Sequence, residues 1–546
     1  MYALLALTPI LLAVVLMAVF NVKSGLSMIC AWAAGSVIAL TFWKMAPLHA
    51  AAYALMGAVS AVDTILIIFG AIFLLNAMIR INYIEAIGNG FSGVSHDRRI
   101  QILIVGWLFG CFLEGAAGFG TPAALAAPLL VGLGVPPFPA AMASLIGNST
   151  PVCFGAVGTP PITGLTSVVA GIQESFPHVD PAAFGAQFYS RMAFTNLFTG
   201  TFVPVLIIAS IVLRGGGKKN FRDIAEILPL CILSGLAFTI PVYFIATFIG
   251  PEIPSLLGAL IGLIILISAV KAGFLVPKNV WRFSDDPIIG TKTSSDNAIP
   301  LFRAWSPYIV IAAVLIVTRL PWLPVKGWID GTLIRMSGFL GIEGIGYNWK
   351  IFNNPGIFPF LIVAMAYMLT NGLKGREVGE IFKKTLHQVA NAAIALLAGV
   401  ALVQIMRYTN FSNPSAGLEA MTTEVAKALA SLFGGLYPLI SPVVGVFGAF
   451  VSGSNTVSNV MFAALQFKTA VLVGLPAVLI VMCQSMGGAI GNMICVNNVV
   501  AVSATTGAEG SEGKLILAAI WPCLIYSLMV SVAAFVYLAI GIKWVA

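Results

Sequence analysis

The sequence predicts an all-α polytopic membrane protein of about 12 to 14 transmembrane or re-entrant helices. An inverted repeat with broken helices or hairpins at a binding site is expected within it. Three observations carry this. Of 546 residues, 59% are hydrophobic and only 9% charged, where a soluble domain carries roughly a quarter, so most of the outside must face lipid. Apolar runs of spanning length recur along the whole chain. Two apolar zones, 114–166 and 452–503, are interrupted by Gly, Pro, Asn and hydroxyl residues. Soluble enzyme, nucleic-acid binder and disordered scaffold are excluded by the first observation alone. The net charge of +8 is spread over short runs between apolar segments, which orient a membrane protein rather than bind a polyanion.

Taken in order, Ala3 to Phe20 is the first span. No basic run precedes it and Asn21-Val22-Lys23 is a poor cleavage site, so it reads as retained. Gly25 to Trp43, Ala54 to Ile79 and Ile100 to Leu113 follow. After the first interrupted zone come Arg191 to Leu213, Ile224 to Ile249, Pro254 to Val270 and Pro307 to Leu320. Gly356 to Leu373, Leu386 to Met406 and Leu429 to Val451 lead into the second zone, and Leu515 to Ile542 closes the series. Each approaches the roughly 20 apolar residues that a bilayer core needs.

Four basic loops set the expected sidedness: Arg80, Arg98 and Arg99; Arg214, Lys218, Lys219 and Arg222; Lys271, Lys278, Arg282, Lys292 and Arg303; Lys374, Arg376, Lys383 and Lys384. All four are expected in the cytoplasm, with the N-terminus and the polar stretch Gln173 to Phe188 outside. Lys326, Arg335 and Lys350 fall on the external side against the rule. The chain is expected to be one integral membrane domain, 1–546, with repeat halves 54–213 and 356–542 and a cytoplasmic loop at 271–306. The seven cysteines are odd in number and show no CxxC spacing, so neither a disulfide framework nor a zinc site is expected. No cofactor, resident metal or nucleic-acid partner is expected; the bilayer is.

The chemistry lies in the interrupted zones. Glu114-Gly115-Ala116-Ala117-Gly118-Phe119-Gly120-Thr121-Pro122 places an acid, three glycines, a hydroxyl and a proline inside an apolar run. A helix should break there, and broken backbone at membrane depth survives only where it lines a cavity or is buried in protein. A freed helix N-terminus suits a carboxylate ligand. The second zone has Ser452-Gly453-Ser454-Asn455-Thr456-Val457-Ser458-Asn459, then Gly491-Asn492 and Asn497-Asn498. Leu130-Val131-Gly132-Leu133 recurs as Leu472-Val473-Gly474-Leu475, and Gly147-Asn148 as Gly491-Asn492, at nearly one offset. The shared order of break, apolar helix and Gly-Asn points to a two-fold repeat with a site between the halves.

Phe112-Leu113-Glu114-Gly115-Ala116-Ala117-Gly118-Phe119-Gly120, the Leu129 to Gly134 stretch, and Ser452 to Asn459 with Phe462-Ala463-Ala464-Leu465-Gln466 resemble the bacterial L-lactate permease family. The resemblance covers nearly the whole chain. It implies uptake of L-lactate, with D-lactate and glycolate as further substrates, by proton symport across the cytoplasmic (inner) membrane. It also implies kinship with ion transporters built from inverted repeats and helical hairpins. Asn455 stands where Asp is frequent in the family pattern and Asn492 where Lys is frequent. The resulting Ser454-Asn455-Thr456 is closer to a sodium-type tip, so sodium is the alternative coupling ion. An uncoupled carboxylate channel is the alternative from another class.

Glu114 is the candidate for proton coupling, because an ionisable group inside a span is costly to bury and is functional by default. The bland alternative is a protonated carboxyl that only ties two helices. The candidate substrate ligands are Gly115, Gly118, Gly120, Thr121, Asn148, Ser149 and Thr150 in one half. Ser454, Asn455, Thr456, Asn459, Asn492 and Asn497 are their counterparts in the other; small residues also serve plain helix packing. Asp63, in an unbroken apolar run, reads as structural. Arg407 could pair with a carboxylate, though an Arg at a span end more often snorkels to the interface. His49, His96, His178 and His387 do not suit a relay across the membrane. Gly88-Asn89-Gly90-Phe91-Ser92-Gly93 matches GxGxxG but follows a membrane helix, not a strand, and is a chance match. No catalytic residue is expected.

Overall fold

In a bilayer core each backbone N–H and C=O must be paired inside the protein, and this chain answers almost entirely with helices. A computed structural model describes all residues except 1, 19, 21, 92, 119–120, 215–219, 284–298, 320–322, 350 and 411–417. Among the described residues 13 helices are long and apolar enough to cross a membrane, and Tyr2–Met17, Pro122–Gly132 and Gly356–Thr370 are shorter apolar ones. The protein is a multi-pass, all-α membrane protein.

The chain begins with α1 (Tyr2–Ala18), α2 (Ser24–Thr41), α3 (Pro47–Arg80) and the short α4 (Tyr83–Asn89). One turn, α5 (Arg98–Gln101), widens into a π-helical stretch, Ile102–Phe109, and continues as α6 (Gly110–Ala116). Next come α7 (Thr121–Gly132), α8 (Pro137–Gly147), α9 (Gly155–Ser175), α10 (Pro181–Phe198), α11 (Val203–Arg214), α12 (Phe221–Phe248) and α13 (Pro254–Lys271). Then α14 (Leu301–Arg319), α15 (Pro324–Gly331), α16 (Ile362–Thr370), α17 (Gly375–Arg407) and α18 (Met421–Phe433) lead to α19 (Tyr437–Ser452), α20 (Asn455–Val473), α21 (Ala477–Gly491), α22 (Val496–Thr506) and α23 (Glu512–Ala539).

The spine is an antiparallel pair, α3 and α17. Arg80 meets Glu377 at 2.7 Å at one end; Asn76 donates to Thr385 Oγ1 and Gln388 Oε1 in the middle; Gly57 lies on the Ala401 backbone towards the other. At 34 and 33 residues these helices are about 50 Å long. The four basic loops gather at the Arg80 end. Arg99 donates to Asp223 O and Asn279 O, Arg98 N to Trp281 O, and Arg303 to Tyr83 Oη and Asn371 Oδ1. Arg99 is more than an orienting surface charge: it is 1% exposed and held by Asp97 at 2.7 Å, stapling three loops together.

Two helical hairpins follow, of which the second packs on the spine through α20 and α17. α7 and α8 turn at Gly134 and α20 and α21 at Gly474, both left-handed glycines with φ 99° and 73°. With 12 and 11 residues, α7 and α8 extend only about 18 Å, too short to cross a core of about 30 Å. The first hairpin's tip lies beside the basic loops, where Arg98 Nη1 donates to Leu133 O. The second tip lies at the opposite end, beside the ends of α9 and α17, since α9, α17 and α20 run parallel through Gly164–Asn459, Gly399–Val460 and Gly171–Phe467 contacts. The packing is crossed. The helices after the first hairpin, α9 and α10, pack on α20 and α21, and those after the second, α22 and α23, pack on α7 and α8.

Three local details differ from the sequence reading. The 191–213 span starts earlier, as α10, and passes through a 3-10 turn at Gly200–Phe202 into α11. The 429–451 span is bent between α18 and α19 at Gly434, whose φ 48° and ψ −131° suit glycine alone. Within 326–350 a β-hairpin forms, β1 (Ile334–Ser337) pairing antiparallel with β2 (Gly346–Trp349). It is fastened to α3 by Asp63, which accepts from Tyr347 Oη at 2.8 Å, Trp349 Nε1 at 2.7 Å and Asn354 Nδ2 at 2.9 Å. Asp63 therefore has a structural role, anchoring a hairpin instead of a neighbouring helix. The side chains of Lys326 and Lys350 lie outside the described residues.

Candidate functional site

The first break is made by close packing. A Cβ on Gly115 would strike the Ser255–Leu256 backbone at the start of α13, and Gly118, at φ 64°, lies against Ala156. α6 stops at Ala116 and α7 begins at Thr121; Gly120 and the Thr121 side chain lie outside the described residues. Glu114, one turn before the break, is 2% exposed and its Oε2 has no hydrogen-bond partner. The carboxyl rests on Gly155, where a Cβ would overlap Oε1. Asn148 is its polar neighbour, yet neither amide atom of Asn148 is bonded. Beneath them α9 opens with three left-handed residues, Ala156 (φ 43°), Val157 (φ 56°) and Gly158 (φ 73°). Each of the two non-glycines costs about 1–2 kcal/mol there, a strain kept by the packing around it. Ser149 is satisfied locally by Ile146 O at 2.8 Å. Thr150 bonds Tyr526 Oη at 3.1 Å, and Tyr526 donates on to Asn196 Oδ1.

The second break follows Gly453, the left-handed end of α19 at φ 81°. Ser454 caps α20 weakly, accepting from Val457 N at 3.5 Å. Asn455, 1% exposed, sits against Gly488 with both amide atoms unbonded. Asn459 donates to Pro160 O at 2.9 Å and Ser485 Oγ at 3.1 Å, and its Oδ1 is unpartnered. Thr456 is buried beside them. Asn492 accepts from Asn498 at 3.2 Å, whereas Asn497 is exposed and lies over Gly453.

α9 joins the clusters, since Gly155 carries the Glu114 carboxyl and Pro160 accepts from Asn459. Glu114, Gly115, Gly118 and Asn148 thus gather on one side of its kink. Asn455, Thr456 and Asn459 gather at the start of α20, which packs along α9. Ser149 and Thr150 are engaged elsewhere, and Asn497 lies exposed over Gly453 at the second break. Sequence reasoning missed the fully buried Gln466, Gln484, Ser458 and Ser485. Gln466 donates to Gln484 Oε1 and Ser441 O, and Gln484 donates to Ser458 Oγ. Their signal was a lone polar pair, Gln484-Ser485, in the apolar α21. Buried polar groups are nearly always paired. The free atoms of Glu114 and Asn148 beside the first break, and of Asn455 and Asn459 at the second, are therefore the candidate donors and acceptors for a ligand.

Broken helices and buried polar groups inside an apolar bundle of 13 spanning-length helices among the described residues are the build of an all-α membrane transporter. Residues 2–541 match the model of the L-lactate permease family, and the chain belongs to that family. It is 30% identical to the L-lactate permease of Bacillus subtilis strain 168, over 98% of this chain and 95% of that protein. With the glycolate permease GlcA of Escherichia coli K12 it shares 28% identity over 97% of this chain and 94% of that one. Among solved structures, the YdaH transporter of Alcanivorax borkumensis aligns at 14% identity with a TM-score of 0.29, covering 73% of this chain and 88% of that chain. So slight a likeness has no bearing on the fold.

Proposed function

We propose that this protein imports L-lactate, with D-lactate and glycolate as further substrates, by proton symport across the bacterial cytoplasmic membrane. Its basic end would face the cytoplasm and its N-terminus the outside. The observation that carries the reading is the buried Glu114 carboxyl, with a free Oε2, beside the unbonded amide of Asn148. A proton on Glu114 removes the charge that would repel a carboxylate anion. Asn148 and Asn455 Nδ2 then receive the anion near the start of α20, and the unpartnered Asn459 Oδ1 takes its hydroxyl. Halves 54–213 and 356–542 would be inverted repeats. The opposed hairpin tips and the crossed packing, α9 and α10 on the second hairpin and α22 and α23 on the first, support this. Rocking one half against the other would move the loaded site between the two sides.

The test is uptake of labelled L-lactate into proteoliposomes. Accumulation should collapse with a protonophore, persist without sodium, and disappear in Glu114→Gln while insertion is normal. Sodium dependence would replace the proton reading with sodium symport, which the free oxygens of Asn455 and Asn459 would serve. Uptake that equilibrates but never accumulates would indicate a channel.

A further inference from the structure

We propose that a cavity at the end opposite the basic loops, between α9, α17 and α20, is an entry site for a monocarboxylate anion. Arg407 and Lys468 would be its anion-binding groups. The inference rests on the monocarboxylate reading above. The cavity is lined by Ser167, Gly171, Glu174, Arg407, Thr423 and Lys468 among others. Arg407 ends α17 with its guanidinium 5.6 Å from the Tyr408 ring centre, and makes one long hydrogen bond, 3.5 Å, to Ser167 O. Among the described residues it has no ion pair. Gly171 keeps that place open, because a Cβ there would stand 2.8 Å from the Phe467 ring and 3.3 Å from Arg407 Nη2. Lys468 Nζ lies 3.3 Å from Glu174 Oε1, joining α20 to α9. Two cations thus share one acid, and the remaining charge matches one carboxylate.

The position along the helices gives this charge a use. Ser167 lies two turns beyond Pro160 on α9, and Lys468 lies beyond Asn459 on the parallel α20. The cavity is therefore about 10–14 Å from the Asn459 contacts along α9 and α20. A carboxylate docks bidentately on the planar Arg407 fork and displaces Glu174 from Lys468. Glu174, with 65% of its side chain exposed, swings into water at little cost. Its release unfastens α9 from α20 at the mouth just as an anion arrives.

The test is initial-rate uptake of labelled L-lactate by the reconstituted full chain, with external choline chloride varied. Arg407→Gln and Lys468→Gln should each raise the half-saturating concentration about tenfold, keep the maximal rate within about twofold, and flatten the salt dependence. Glu174→Gln should lower the half-saturating concentration. Arg407→Lys should fall between wild type and Arg407→Gln. An unchanged half-saturating concentration in both glutamine variants, or a loss confined to the maximal rate, overturns the entry site. If Arg407→Gln fails to insert, the partly exposed Lys468 and Glu174 variants decide by the same criteria. A wild type that carries no monocarboxylate overturns the function reading and this inference together, while a lactate-carrying wild type with unaffected variants overturns this inference alone.

Discussion

The segments around Glu114 and around Asn455 are built from the same parts: a helix that stops inside the bundle, a left-handed glycine and a helical hairpin. They differ in how far their polar groups are bonded. At the first, Glu114 Oε2 and both amide atoms of Asn148 are unbonded, and the backbone below is strained at Ala156 and Val157. At the second, Asn459, Ser485, Gln466, Gln484 and Ser458 bond one another and the backbone. One region holds a titratable group that no neighbouring charge neutralises; the other is an amide frame that leaves the Asn455 amide and the oxygens of Asn459 and Gln466 free. Under the proposed function, proton exchange would fall to the first and recognition of the solute to the second.

The largest effect that would break this comparison is at Glu114. Glu114→Gln should reduce accumulation to passive equilibration and abolish the decline of uptake as external pH rises, measured as initial rates across pH. A variant that still accumulates lactate would remove the acid from the coupling. Next is Gly155→Ala, whose Cβ overlaps the Glu114 carboxyl. It should destabilise the protein by about 1–3 kcal/mol in thermal unfolding in detergent, and Glu114→Ala in the same chain should recover part of that. Additive losses would mean that the two groups do not meet.

On the other side of the comparison, Asn459→Ala removes the bonds to Pro160 and Ser485. It should cost about 1–3 kcal/mol of stability and raise the half-saturating lactate concentration while uptake stays proton-driven. Loss of proton coupling in that variant would erase the division of roles. Gln466→Leu should lower thermal stability while leaving the pH dependence intact, because it touches only the frame. The smallest effect is expected for Asp63→Asn. The β-hairpin should loosen, seen as faster proteolysis near Ile334, with transport kept within about twofold of wild type; a transport-dead Asp63→Asn would place the hairpin in the cycle.

Much of this was legible in the sequence because the signals are local. Glycines and an acid in an apolar run stop α6 at Ala116, and Gly453-Ser454 separates α19 from α20, as the interruptions required. Glu114 stood out because acids inside spans are rare. Gln466 and Gln484 were harder to see, since a single amide in an apolar helix looks the same whether it meets lipid, water or another amide. The place of Asn497 was hidden for the same reason: the first turn of α22 leaves it exposed, lying over Gly453.

The amino-acid order alone determined the membrane class, the span pattern, the breaks and the principal acid, because hydropathy and backbone preference act over a few residues. Only the tertiary structure decided which elements pack together around the breaks. Asn459 reaches Pro160 across 299 residues of chain, Arg99 becomes a buried staple, and Arg407 comes to face Lys468 and Glu174 across a cavity. These pairings depend on how α9 crosses onto the opposite hairpin, and helix-to-helix packing of that kind is fixed by shape and unsatisfied polar groups over the whole bundle.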